Sequence, residues 1–294
     1  EEARADPPLP GDHVDYDAVS QCKDRALRRA FANLQRQPDW LAVERGAFER
    51  ENAFWLEDYC LFGALHLHYE AATWTAWERD IALHRPEAVA AWRERLAEEV
   101  AYRRFCQFLF DHQWQRVRHE AQRRGIRILG DVPIFVGHHS ADVWSQRRLF
   151  ALDAEGRPTA VAGVPPDYFS PTGQLWGNPL YRWEVMAEDD YAWWVARLRR
   201  ALAQADLVRI DHFRGFAAYW QVPADEETAI NGQWMPGPGE AFFDAVLRQM
   251  GALPIIAEDL GLITPDVVAL RQHYGLPGMR VLQFAFDSDG ANDH

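Results

Sequence analysis

Two short stretches of this sequence end in carboxylates in the same way. Residues 207–215 read LVRIDHFRG: the apolar run of Leu207, Val208 and Ile210 stops at Asp211, His212 and Arg214, and Gly215 turns the chain away. Residues 253–261 read LPIIAEDLG, again an apolar run with acids at its end, Glu258 and Asp259, and again a glycine. Such runs fit buried strands, and the carboxyl end of a buried strand is where α/β folds place their chemistry. Arg209 lies two residues before Asp211, so on a strand both side chains point to one face. A guanidinium there favours the ionised carboxylate that a nucleophile needs, although a purely structural Asp–Arg pair fits that stretch equally well. With Glu258 added, two strand-end acids could meet in one pocket if their strands neighbour each other in a parallel sheet. Paired carboxylates flanking a bond are the machinery of glycoside chemistry.

The elements that would hold these acids alternate between strand and helix. Residues 126–136 (IRILGDVPIFV) fit a first buried strand with Asp131 at its end, after a helix stopped by Gly125. Residues 191–204 and 239–250 predict helices leading into the Asp211 and Glu258 strands, the second ended by Gly251. Thr264-Pro265-Asp266 starts another, with a cap residue, proline at the first position and an acid for the dipole; it runs to Tyr274 and Gly275. Residues 279–286 (MRVLQFAF) predict a fourth buried strand. This alternation implies a parallel sheet. Residues 151–181 carry turn formers throughout and read as one long functional loop displaying Tyr168, Phe169 and Trp176, either to stack on a ligand or to tuck under the loop as a satellite core. Upstream, residues 1–18 read as an extended lead-in. From 19 to 124 the pattern is helical, with Phe54, Trp55, Tyr59, Leu61, Phe62 and Leu65, then Val89, Trp92, Leu96 and Val100, then Phe105, Leu109, Trp114 and Val117 as its core. His66 and His68 diverge on a helix and make a poor metal pair.

Composition narrows the partners. The balance of 31 basic against 44 acidic residues, a net charge of −13, argues against nucleic acid or an anionic membrane surface. No apolar run is long enough to span a bilayer, and no apolar signal segment opens the sequence. Three scattered cysteines, Cys22, Cys60 and Cys106, make no disulfide framework or zinc motif and suggest a reducing compartment. The expectation is a cytoplasmic enzyme acting on a neutral substrate. Thirteen tryptophans are a weak further hint of sugar stacking.

In order and spacing, GDVPIFV, GVPPDYFSPTGQLWGNPLY, RIDHFRGF, IIAEDLG and LPGMRVLQFAF resemble the 4-α-glucanotransferases, the amylomaltases or disproportionating enzymes of glycoside hydrolase family 77; WLEDYCLFGAL is similar to that family's helical insertion. The resemblance implies an α/β fold, a partial (β/α)8 TIM barrel covering about strands three to six, with a helical insertion subdomain near the N-terminus. The implied divisions are a lead-in at 1–18, a mostly helical subdomain at 19–124, and central βα units at 125–294 with an active-site loop at 151–181. It implies α-1,4-glucan donors and acceptors (maltooligosaccharides, starch or glycogen), Asp211 as nucleophile and Glu258 as general acid/base. Arg209 would pair with the nucleophile, Asp131 contact the donor sugar, and Tyr168, Phe169 and Trp176 shape the acceptor sites. No metal or organic cofactor is implied, and Asn178 and Pro179 keep the motif without an assigned role. The family's first two strands and its third carboxylate motif have no counterpart in residues 1–294, which therefore read as an internal piece, inactive by itself. A hydrolase of the same clan and a non-catalytic glucan-binding remnant are the alternatives.

Overall fold

The computed structural model describes residues 11–34, 41–168 and 170–286, which fall into two compact units. The first unit, residues 1–72 and 85–113, is helical where described. Asp15 accepts the Ala18 N–H at 3.0 Å and starts the helix Tyr16–Leu34, so residues 16–18, expected to be extended, are helical. Residues 1–10 of the expected lead-in lie outside the described residues. In Ala53–His68 the buried stripe is Leu56, Cys60, Leu61, Ala64 and Leu65, at helical spacing. Phe54 and Tyr59, expected in the core, are exposed, because aliphatic side chains fill the inner face. Val100, Tyr102, Phe105 and Phe108 form the matching stripe at the start of Ala97–Arg123, and Phe31 packs on Tyr102 and Phe105 at 5.7 and 5.6 Å between ring centroids. Val117, near the end of that helix, is exposed rather than buried.

The second unit, residues 73–84 and 114–294, holds two sheets. Its strands in chain order are β1 (Leu129–Pro133), β2 (Ala160–Val164), β3 (Gln174–Pro179), β4 (Leu207–Asp211), β5 (Ala218–Pro223), β6 (Gln233–Pro236) and β7 (Ile255–Ala257). β1, β4 and β7 form a parallel sheet in that order, with Gly130 opposite Val208 and Ile210 opposite Ala257. The fold is thus α/β with a parallel sheet, its strands separated by helices such as Ala192–Gln204 and Gly239–Met250. β3, β2, β5 and β6 form an antiparallel sheet.

Three readings of the sequence are corrected. Residues 151–181 are not one loop, since they contain β2 and β3, which pair with each other. Residues 282–286 form a short 3-10 helix rather than a fourth strand, with Leu282 and Phe286 on the surface. The first strand is shorter than residues 126–136, and it buries Val132 while leaving Leu129 and Asp131 open.

Aromatic rings dominate the core behind β4. The helix Ala192–Gln204 turns Trp194, Val195 and Leu198 inward, and Gly239–Met250 turns in Phe242 and Phe243. Trp194 is fully buried, 5.5 Å from Phe216 and 5.6 Å from Phe242 between centroids, while Phe216 stacks on Phe242 at 4.6 Å. Gly251, at φ 75°, ends the second helix in the left-handed conformation and donates its N–H to Leu247. Trp194→Ala should cost about 3–5 kcal/mol, the range for emptying a buried aromatic site. Urea unfolding of the full chain measures it, and a loss below about 1 kcal/mol would mean the surrounding rings collapse into the space.

Candidate active site

Parallel pairing in register sets the geometry. Asp131 and Arg209 are register partners on adjacent strands, so their side chains lie side by side on one face. Arg209 closes a fork on Asp131, Nε to Oδ1 at 2.9 Å and Nη2 to Oδ2 at 2.8 Å. The same Nη2 lies 3.0 Å from Asp211 Oδ1. The guanidinium is held above its ordinary pKa, first by the hydrogen bond to Asp131, with the charges of Asp131, Asp211 and Glu258 adding to it against the cost of burial. The arginine expected to serve Asp211 is therefore shared, and its two-point grip is on Asp131. Both carboxylates stay open to solvent, with 57% of the Asp131 and 45% of the Asp211 side chain exposed.

Glu258 follows the last residue of β7 and is tied to β4 through its backbone. Its N–H donates to Ile210 at 3.0 Å and its carbonyl accepts from Phe213 at 3.1 Å. Its carboxylate accepts two more backbone donors, His212 N–H at 2.8 Å on Oε2 and Leu260 N–H at 2.9 Å on Oε1. His212 can aim its N–H there because it sits in the left-handed region, φ 57° and ψ 48°, a conformation that costs a non-glycine residue roughly 1 kcal/mol or more. Strain of this kind, between two strand-end acids, marks a position whose geometry is over-determined by its surroundings.

A cleft of about 480 Å³ opens beside Asp211 and His212, walled also by Ile134, Val136, Trp176 and Asn178. Tyr181 donates its hydroxyl to the Ile134 carbonyl at 2.7 Å and Asn178 Nδ2 donates to Val136 at 3.0 Å, which fixes the loop after β1. The Asn178 position, left without a role by the sequence, is a strut of this wall. Trp176 meets the His212 ring edge-on at 4.7 Å. The His212 Nε2 is buried without a hydrogen-bond partner among the described residues, and burial, followed by the Arg214 charge, pushes its pKa down to about 4. A neutral imidazole edge therefore faces the site. Arg214, buried beside it, lies 3.9 Å over the Trp234 ring and donates to the Leu262 carbonyl, tying the loop after Glu258 to β6.

The structure thus gathers Asp131, Asp211 and Glu258 about the Arg209 guanidinium, and puts Trp176 in the cleft next to Asp211. Tyr168 is 95% exposed and does not line the cleft, and Phe169 lies outside the described residues. Sequence reasoning missed the part played by His212. No residue pattern signals a left-handed histidine, although its place between a strand and Gly215 marks a sharp turn.

Comparison with known proteins bears on all of this. The profile of glycoside hydrolase family 77, described as 4-alpha-glucanotransferase, matches residues 1–294. The 4-alpha-glucanotransferase of Synechocystis is 50% identical over 290 residues, covering 97% of this chain and 57% of that protein. The enzyme of the same name from Thermus thermophilus is 49% identical over 288 residues, covering 98% and 58%. Among solved structures, the amylomaltase from Streptococcus agalactiae in complex with acarbose superposes with a TM-score of 0.90 at 36% identity, over 95% of this chain and 56% of that one. The chain spans about half the length of the curated relatives it matches.

The histidine beside Asp211 makes stability depend on pH. Its folded pKa of about 4 lies below the ordinary 6.5, so between those values the unfolded chain takes up a proton that the folded chain refuses. Stability should fall as pH drops through that window and this contribution should level off below about 4. His212→Asn, which tolerates the left-handed backbone, should flatten that part of the slope in thermal melts of the full chain. Identical slopes in both proteins would show that the imidazole titrates normally.

Proposed function

This chain belongs to the 4-alpha-glucanotransferase family, and on that premise we propose that it carries the nucleophile and the acid/base of a retaining transfer between α-1,4-glucans. The observation that carries the reading is the single guanidinium of Arg209, which holds Asp131 and Asp211 beside a Glu258 lashed to the neighbouring strand end. In this mechanism Asp211 attacks the anomeric carbon while Glu258, protonated, gives its proton to the leaving oxygen. A covalent glycosyl-enzyme forms, and Glu258 then takes the proton of the incoming sugar hydroxyl. Each Glu258 oxygen accepts one backbone donor and keeps a second lone pair, on which the acid's proton would sit.

Strand pairing brings the two acids together. β4 and β7 are hydrogen-bonded neighbours, and neighbouring strands lie about 4.8 Å apart. The roots of Asp211 and Glu258 are thereby neighbours, which is compatible with the separation of about 5–5.5 Å between carboxylates that retaining chemistry needs. On this reading the parallel trio is part of a (β/α)8 barrel, with Asp131 reaching the donor sugar. Donors and acceptors would be maltooligosaccharides, starch or glycogen, and Tyr168, Phe169 and Trp176 would shape the acceptor side. Trp176, edge-on to His212, would also help keep water from the glycosyl-enzyme.

Two measurements on the complete enzyme test the proposal. Asp211→Asn and Glu258→Gln should each lower maltooligosaccharide disproportionation by at least ~1000-fold while acarbose binding survives, since the amides keep shape and lose the charge or the proton. Near-normal turnover in either variant removes that residue from the mechanism. Separately, Trp176→Ala should raise the ratio of hydrolysis to transfer several-fold, read as free reducing ends against the ladder of transfer products with glucose as added acceptor. An unchanged ratio would take Trp176 out of water exclusion, and a wild-type chain that only hydrolyses would assign it to the hydrolases of the same clan.

A further inference from the structure

The acid that follows Glu258 faces the other way. Asp259 is only 8% exposed. Its Oδ1 accepts the backbone N–H of Met279 at 2.7 Å, and its Oδ2 lies 3.1 Å from Arg271 Nε. Arg271 Nη1 donates in turn to the Leu276 carbonyl at 3.0 Å, and Ala257 N–H donates to Pro277 at 2.9 Å. Residues 276–279 are thereby folded along the end of β7. At Gly278 a Cβ would come within 2.4 Å of one Asp259 oxygen and 2.6 Å of the other, so only glycine lets the chain pass this carboxylate. Met279 leaves the turn with its Sδ 4.0 Å from Arg209 Nη1, on the guanidinium that holds Asp131 and Asp211.

A carboxylate taken out of water needs this much pairing, and an unpaired partner left behind is costly. The pairing also links the site in one physical line: Asp259 fixes the Met279 backbone, Met279 walls the guanidinium, and the guanidinium sets Asp211. Resting on the roles of Asp211 and Glu258 given above, we propose that Asp259 is a positioning residue for glycosyl transfer, acting through Met279 and Arg209. It touches no reacting atom. Its effect is on the alignment of the nucleophile, where an error of about 1 Å can cost on the order of 100-fold in rate.

The test compares three variants of the complete enzyme with wild type in maltotriose disproportionation. Asp259→Asn keeps an acceptor for the Met279 N–H and loses the ion pair; it should lower kcat by roughly 10- to 100-fold with KM within about threefold. Met279→Ala removes the wall without disturbing the buried charge and should show the same split with a smaller loss. Arg271→Lys keeps the charge and should retain most of kcat, which general loss of structure would not allow. Wild-type kcat in a folded Met279→Ala overturns the proposal, as does a loss confined to KM, and that variant decides should Asp259→Asn fail to fold. If wild type itself performs no transfer, the function assigned above fails, and the positioning is judged by crystallography of Met279→Ala. An Arg209–Asp211 contact lengthened from 3.0 Å supports it, and an unchanged contact overturns it.

Discussion

One guanidinium sits where the carboxyl ends of three parallel strands come together. Arg209 is on the middle strand, its fork closed on Asp131 of one neighbour and its Nη2 shared with Asp211 of its own. Without that positive charge, the carboxylates of Asp131, Asp211 and Glu258 would repel one another. The register pairing of Asp131 with Arg209 puts the two on the same face before any side chain chooses a rotamer. The chemistry therefore depends on the sheet forming in this register, and a slip of one residue between β1 and β4 would put Arg209 and Asp131 on opposite faces.

Around the charge, backbone groups do what side chains do in many sites. Glu258 is oriented by N–H groups of His212 and Leu260, and its peptide extends the hydrogen bonding between β4 and β7. Backbone donors are stiffer than side chains because moving them means moving the strand or the turn. The cost is concentrated at His212, left-handed and neutral in a half-buried wall, and the compensation is spread through the aromatic core behind it. Phe213 and Phe216, in the turn that follows, are fully buried against Phe243 and Phe242, so the strained residue is anchored immediately downstream.

Much of this was legible in the sequence because local rules and the fold agree. The apolar runs before Asp211 and Glu258 are strands, Thr264-Pro265 opens a helix, and Gly251 closes one. The antiparallel sheet was hidden because residues 151–181 are dense in glycine and proline, and β2 and β3 reveal themselves only through pairing with each other and with β5. The largely apolar residues 282–286 match a strand in type, yet in this structure they make no ladder and take a helical turn. Asp259 was read together with Glu258 as a strand-end acid. Its inward orientation follows from Arg271 and Gly278, more than ten residues away, and no local pattern contains that information.

The order of the parallel strands has a consequence for how the site comes apart. β4 is bonded on both sides, while among the described residues β1 and β7 each have one strand neighbour. Amides of a doubly flanked strand exchange with solvent only in openings close to complete unfolding, whereas singly flanked strands and the turns beyond them open in smaller excursions. Asp211 and Arg209 ride on the most protected strand; Glu258 and Asp131 ride on the less protected ones. In such openings Glu258 and Asp131 lose their alignment while Asp211 and the Arg209 guanidinium remain in place.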